Sequence, residues 1–482
     1  MVNRIFLASL STVFLSIVVL SCIASTSAEA KKSQNFRMDK EITTTKRHFG
    51  IFCNPYNWDW EDTEKTVSLY NELGVKIAIC NIKWKDIEEK KGSFSEKGWK
   101  VFDEVVSKLT GCGMEVMCII AAPPGWAVDS TLKNDESNGK KSRVNPEDLK
   151  DFAAIAAQRY KDRVKYWAMF NSPQGKAHRV EPKHLAELYR VGSQAIKSKI
   201  PDSVIVMAGL EGTIDKRGPY LEKFLQAGGG NYVGMYDFHM NLGGGVRFST
   251  AASDTNTLID ILKKYGQTGK PIQYGAIATP NRHVTNAKKV EKLKALGWKP
   301  IDFELITPEQ QAIRLVTLML LGRSLGIDRI VWTRTRDQAP ESGPVHDKWL
   351  SDMKKIKPNM QKECAYNRTM GVIGYNYELK PSFHAFKTLI EKLDTATFLK
   401  ELSVGSDAKA LIFQKEGRHI GAFWTWEGAK SLTLEIDSKN VTISDMYGKI
   451  ITPAETNNGK LTLPLSPSVV YVEGDFKEIT GF

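Results

Sequence analysis

The sequence predicts a (β/α)8 barrel followed by a small antiparallel β-sandwich, and three observations carry that fold class. Between residues 48 and 332, eight short β-branched runs alternate with longer amphipathic ones. No Gly-rich phosphate turn follows the first run, where an open doubly wound sheet would usually place one. Beyond Lys392 the helical period gives way to short strands separated by turn signals.

The barrel strands are expected at 48–53, 76–82, 115–121, 164–170, 203–208, 236–240, 271–277 and 328–332, and the clearest helices at 63–73, 98–109, 147–160, 183–198 and 308–325. Each helical pattern repeats apolar residues three and four apart, the spacing of one buried face. Asn145-Pro146-Glu147 and Thr307-Pro308-Glu309 both supply an N-cap, a first-turn proline and an acid at a helix start. The sandwich strands are expected at 411–414, 419–425, 431–436, 441–444, 460–463 and 468–473, with Asn457-Asn458-Gly459 as one of the turns. Gly243-Gly244-Gly245 follows the sixth barrel strand without the spacing of a phosphate cradle and reads as a loop.

With 482 residues, 42% hydrophobic and 25% charged, the chain can bury a large core, and collagen-like, wholly disordered and multi-span membrane classes are excluded. Lys plus Arg number 67 against 55 acids, a balance of +12 that favours anionic partners. The excess lies in residues 31–395, since residues 396–482 are net acidic. Its lysines are scattered and form no aromatic-interleaved strip, so no nucleic-acid partner is expected.

At the N-terminus Arg4, an apolar run over 5–20 and Ala28-Glu29-Ala30 give the order of an export signal. Two rivals stay open: Val19-Leu20-Ser21-Cys22 is a loose lipoprotein box that would lipidate Cys22 and hold the protein at a membrane, and the run could persist as an anchor. The expected organisation is an export signal over 1–30, a basic linker over 31–47, the barrel over 48–395 and the sandwich over 396–482. Cleavage leaves Cys53, Cys80, Cys112, Cys118 and Cys364, whose spacing is neither a disulfide framework nor a zinc signature. Cys53, Cys80 and Cys118, which sit in apolar strand-like segments, are read as small core residues.

A barrel of this kind does its chemistry where the strands end. Trp84-Lys85-Asp86-Ile87-Glu88 with Gly92-Ser93-Phe94, Pro124-Gly125-Trp126-Ala127, and Tyr166-Trp167-Ala168-Met169-Phe170-Asn171-Ser172-Pro173 stand there. So does Phe238-His239-Met240-Asn241; Lys270-Pro271-Ile272 opens the seventh strand, and Lys380-Pro381-Ser382-Phe383-His384-Ala385-Phe386 and Asp445-Met446-Tyr447-Gly448 follow later. These passages resemble the clan A glycoside hydrolases, within them the family 39-like group of β-xylosidases and α-L-iduronidases, over nearly the whole mature chain. The resemblance implies retaining hydrolysis of O-glycosyl bonds by two carboxyl groups about 5 Å apart, with no cofactor. It also implies that the acid/base glutamate falls at Ser172 and the nucleophile at Ala276. Neither residue can do that work.

The supporting charges depart with them: Ile79 stands where the family places an arginine, Asn241 where it places a tyrosine, and Ala168 where it places an acid. Loss of the whole cluster favours natural divergence, because an arginine buried without its carboxylate is costly to keep. Part of the positive balance then follows from missing acids. The expected function is an exported, catalytically degenerate protein that binds a polysaccharide or glycoconjugate. An active glycosyl hydrolase with relocated carboxylates and a cell-envelope interaction scaffold are the alternatives.

Asn171, His239, Trp84, Trp126 and Trp332 are the candidate sugar contacts, since amides bind hydroxyls and aromatic faces stack on pyranose rings. Each has a plain alternative as a packed or hydrogen-bonded strand-end residue. Trp58 and Trp60 around Asp59 would add a rim platform. Glu211, Asp337, Asp59 and Asp62 are the carboxylates that could have relocated, each otherwise a loop acid or cap. His239 has no companion at metal-ligand spacing, so no metal is expected.

Overall fold

The computed structural model describes residues 47–53, 62–128, 143–175, 179–241, 250–278, 306–337, 369–436, 441–451, 459–474 and 479–481. The export signal with Cys22, the linker up to residue 46, Trp58, Asp59, Trp60, the 243–245 glycines, Cys364 and the 457–458 turn lie outside the described residues.

Eight parallel strands close a barrel in sequence order: β1 (Phe49–Cys53), β2 (Ile77–Lys83), β3 (Glu115–Ala121), β4 (Val164–Met169), β5 (Val204–Leu210), β6 (Met235–Asn241), β7 (Ile272–Ala278) and β8 (Arg329–Trp332), with β8 returning to β1. Side chains alternate across the wall, as strand geometry requires. On β2, Ala78, Cys80 and Ile82 join the large hydrophobic cluster shared with the helices, while Ile77, Ile79 and Asn81 take the inward parity.

The helices are α1 (Thr63–Leu73), α2 (Trp84–Ile87), α3 (Glu96–Gly111), α4 (Pro146–Tyr160), α5 (Pro182–Lys199), α6 (Ile214–Gln226), α7 (Ala251–Lys264), α8 (Pro308–Ser324) and α9 (Pro381–Leu393). The expected caps form. Asn145 accepts from the Glu147 N–H, and Thr307 and Gln310 make a reciprocal capping box. Asp62 is also a cap, accepting from the Lys65 N–H at the start of α1, as the plain alternative for it expects.

Helix α3 packs its first turn directly on the backbone of α2. A Cβ at Gly98 would lie 2.1 Å from the Asp86 carbonyl oxygen, and neither backbone can yield cheaply. Gly98→Ala is therefore expected to cost about 1–3 kcal/mol by overpacking, read as a lowered urea midpoint with an unchanged slope.

The C-terminal part is antiparallel. A five-stranded sheet orders β13 (Val441–Ser444), β15 (Val470–Gly474), β11 (Arg418–Thr425), β10 (Ala408–Lys415) and β9 (Thr397–Glu401); a three-stranded one orders β14 (Lys460–Leu465), β12 (Lys430–Ile436) and β16 (Ile479–Gly481). One face of the larger sheet sends Phe413, Ala422, Trp424 and Tyr471 into the barrel's own hydrophobic cluster. The other sends Ile412, Phe423 and Val472 against Leu432, Leu434, Leu461 and Leu463 of the smaller sheet. Barrel and sheets thus share apolar burial, and Tyr447 adds a hydrogen bond to Glu309 on α8.

Candidate site at the C-terminal mouth of the barrel

Backbone strain marks the end of β4. Phe170 (φ 64°) and Ser172 (φ 48°) both occupy the left-handed region that favours glycine, and Asn171 lies between them. The following turn closes with the Gly175 N–H on the Ser172 carbonyl at 2.8 Å. Held there, Asn171 has a buried Oδ1 with no hydrogen-bond partner.

His239 approaches from β6, 4% exposed, with its Nδ1 3.3 Å from Ser172 Oγ. The ring lies directly over the backbone of β5. A Cβ at Gly209 would sit 2.0 Å from His239 Nε2, so only glycine lets the imidazole occupy this place. Burial, with the nearby Arg217 guanidinium, lowers the His239 pKa to about 4, leaving the ring neutral at physiological pH. Its Nε2 is buried without a partner.

Two further groups of this kind were not legible as candidates: Asn81 Oδ1 on β2 and Thr333 Oγ1 just beyond β8, both buried and unpartnered. The signal for Asn81 was present, a lone amide in the apolar strand IAICNIK with the inward parity of Ile79. These four atoms stand on or just beyond alternate strands of the barrel, β2, β4, β6 and β8, and each can hydrogen-bond a hydroxyl group or water.

Ala276, at the expected nucleophile position, stands opposite His239 in the β6–β7 pairing and offers only a methyl group. Ile79 and Ala168 are buried on β2 and β4, and Asn241 closes β6. Asn171 and Ser172 follow β4, and His239 of β6 reaches Ser172; two of the candidate aromatics lie in the core instead. Trp84 is fully buried, donating its indole N–H to Glu88 Oε2 at 2.7 Å and stacking on Phe152. Trp332 is also fully buried, its N–H on the Met370 carbonyl. Neither presents a face to a sugar, because the outward parity of Trp332 and the α4 contact of Trp84 turn both into core residues. Trp126 is different: half-buried, it packs edge-on against Trp84 with its N–H on the Glu88 carbonyl.

The relocated-carboxylate candidates divide. Asp337 is buried in an ion pair with Lys380 at 3.0 Å and accepts from the Gly371 N–H at 2.7 Å, so it is a structural anion and not a free acid. Glu211, at the end of β5, lies beside the Ser172–Gly175 turn: a Cβ at Gly175 would be 2.6 Å from its Oε1. Retaining hydrolysis needs a second carboxyl about 5 Å from the first. Among the described residues no group of three or more His, Cys, Asp or Glu is placed to hold a metal ion, and no helix is long and apolar enough to cross a membrane.

One solved structure, described as a family 39 glycoside hydrolase from the gut symbiont Bacteroides cellulosilyticus WH2, superposes with a TM-score of 0.66 at 16% identity, covering 89% of this chain and 81% of that one. The chain shares the fold of that structure. A GH30 endoxylanase from Clostridium papyrosolvens C71 superposes with a TM-score of 0.57 at 11% identity, over 89% of this chain and 96% of that one. The family model for glycosyl hydrolase family 1 matches residues 29–189. Among curated proteins, a probable inactive beta-glucosidase 25 of Arabidopsis thaliana is 30% identical over 113 residues, 23% of this chain and 20% of that one. The aryl-phospho-beta-D-glucosidase BglC of Bacillus subtilis is 28% identical over 109 residues, 22% of each. The chain thus spans about a fifth of the length of these curated relatives.

Proposed function

We propose that this chain is an exported glycoside-hydrolase-fold protein that binds a glycan at the barrel mouth and no longer hydrolyses it. The observation that carries this reading is the set of neutral, buried, unpartnered atoms on Asn81, Asn171, His239 and Thr333; Ser172 and Ala276, where the resemblance expects the two glutamates, support the loss of hydrolysis. Hydroxyl groups of a sugar would satisfy those atoms, and Trp126 would supply an apolar face at the rim. The fold favours a polysaccharide or glycoconjugate as the ligand. Export rests on residues 1–30, with release after Ala30 or retention through a lipidated Cys22 as the two outcomes. Mass measurement of the mature N-terminus distinguishes them.

A glycan array followed by calorimetry tests the binding. Asn171→Ala and His239→Ala are each expected to weaken the best ligand about tenfold or more, since each removes a hydrogen bond from a dry site. A wild-type protein that retains no glycan, neutral or acidic, would overturn the reading. The hydrolase alternative rests on Glu211, the carboxylate beside the β4 turn. Aryl-glycoside cleavage that disappears in Glu211→Gln would favour it instead.

A further inference from the structure

Three cysteines stand side by side across the barrel wall. Cys53 on β1 is paired in register with Cys80 on β2, and Cys80 with Cys118 on β3. All three are completely buried in the cluster between strands and helices. Sequence spacing concealed this, because residues 27 and 38 positions apart become lateral neighbours only when parallel strands align.

The two intervals are not alike. The Cys53 and Cys80 sulfurs are 2.8 Å apart, closer than two unbonded sulfurs rest in ordinary contact. Neighbouring strands lie about 4.8 Å apart, inside the Cα separation of about 4.4–6.8 Å that a disulfide spans. The side chains project in parallel from one face, so a bond needs side-chain rotation and no movement of the strands. Cys118 makes no comparable approach, and burial holds its thiol pKa well above the ordinary value, which makes it a poor exchange nucleophile.

We propose that Cys53 and Cys80 form a disulfide that staples β1 to β2 when the chain folds in oxidising surroundings. The oxidant is a low-molecular-weight disulfide such as oxidised glutathione. One cysteine thiolate attacks it, forming a mixed disulfide and releasing one thiolate; the second cysteine then attacks the protein sulfur of that mixed disulfide and releases the other. Two protein thiols and one small disulfide become one protein disulfide and two small thiols. Because both sulfurs are wholly buried in the closed barrel, the exchange must precede closure, so the bond records the compartment in which the chain folded. This inference does not depend on the glycan reading.

The test uses the full chain, made in an oxidising secretory compartment and, in parallel, refolded from a reduced preparation in a glutathione mixture. Each sample is denatured without reductant, its free thiols are blocked with iodoacetamide, and its proteolytic peptides are weighed. The expected result is one linked species holding Cys53 and Cys80, lighter by two hydrogens than the two reduced peptides together, which separates on reduction. Cys118→Ala should give the same link. Recovery of Cys53 and Cys80 both alkylated from the folded, oxidatively prepared protein, or a link to Cys118 in place of either, would overturn the proposal.

Discussion

Replacing Lys380 with methionine should cost about 3–5 kcal/mol of folding stability, the usual penalty for stripping one member from a buried ion pair. The side chains of Lys380 and Asp337 are 7% and 4% exposed, and the ammonium lies 3.0 Å from Asp337 Oδ2. Asp337 also takes the Gly371 N–H, and Lys380 also donates to the Thr369 carbonyl. The pair therefore joins the segment leaving β8 to the start of α9, which closes the barrel. Once the ammonium is gone, the carboxylate loses the counter-charge it touches in a dry site and must either stay charged at a cost or take up a proton. The double variant Lys380→Met/Asp337→Leu should regain most of the loss, because well-packed apolar residues often replace a buried pair at little cost. Urea unfolding of both variants measures it. A Lys380→Met protein as stable as wild type would show that the pair is solvated in solution.

The same pair illustrates what sequence could and could not say. A lone aspartate just past the eighth strand is formally a candidate acid; its partner lies 43 residues on, across a stretch with no regular pattern. The eight strands were legible because each is a short apolar run set between longer stretches of helical period, and the caps at Asn145 and Thr307 formed as expected. Helices α6 and α7 were not picked out. Gly218-Pro219 interrupts the period of α6, and α7 opens with Ser253, Asp254, Thr255 and Asn256, residues that favour caps and turns. Strand β9 was missed because it is an edge strand, mostly exposed, with none of the apolar alternation of its neighbours.

At the site, motif register located Asn171 and His239 but carried no information on burial. The outward parity of Trp332 and the packing of Trp84 against Phe152 are tertiary facts. So is the requirement for glycine at 209, which exists only because an imidazole from the next strand lies over it. The orphaned atoms of Asn81 and Thr333 are defined by what fails to surround them, and no local pattern encodes that.

Stability should fall as pH rises from 6.5 to 8, and Asp237→Asn should abolish the fall. Asp237 takes the inward parity of His239 one step deeper in β6, 1% exposed, accepting the Gly275 N–H at 2.6 Å. Burial raises its pKa from 3.8 to about 8, against the opposing hydrogen bonds of Gly275 and Gln273. Between those values the folded chain holds a proton that the unfolded chain has lost, so stability declines with pH across the window. His239 works in the opposite sense: its pKa falls from 6.5 to about 4, the unfolded chain binds the extra proton, and stability is lost as pH falls through that range. The two slopes offset one another between about pH 4 and 6.5; above that Asp237 sets the fall, opposed only toward pH 8 by Lys270, whose pKa burial lowers to about 8. The expected decline is about 1–2 kcal/mol between pH 6.5 and 8, at about 1.4 kcal/mol per unit while the difference of one proton lasts. Asparagine keeps the acceptor for Gly275, and its amide N–H occupies the place where burial forces a proton onto Asp237. The variant should therefore show no fall in this window and exceed wild type at pH 8 by several kcal/mol, up to about 5. Guanidinium unfolding at the two pH values decides it, since a wild-type profile as flat as the variant's, or an asparagine protein weaker at pH 8, is incompatible with a protonated Asp237 beneath the mouth.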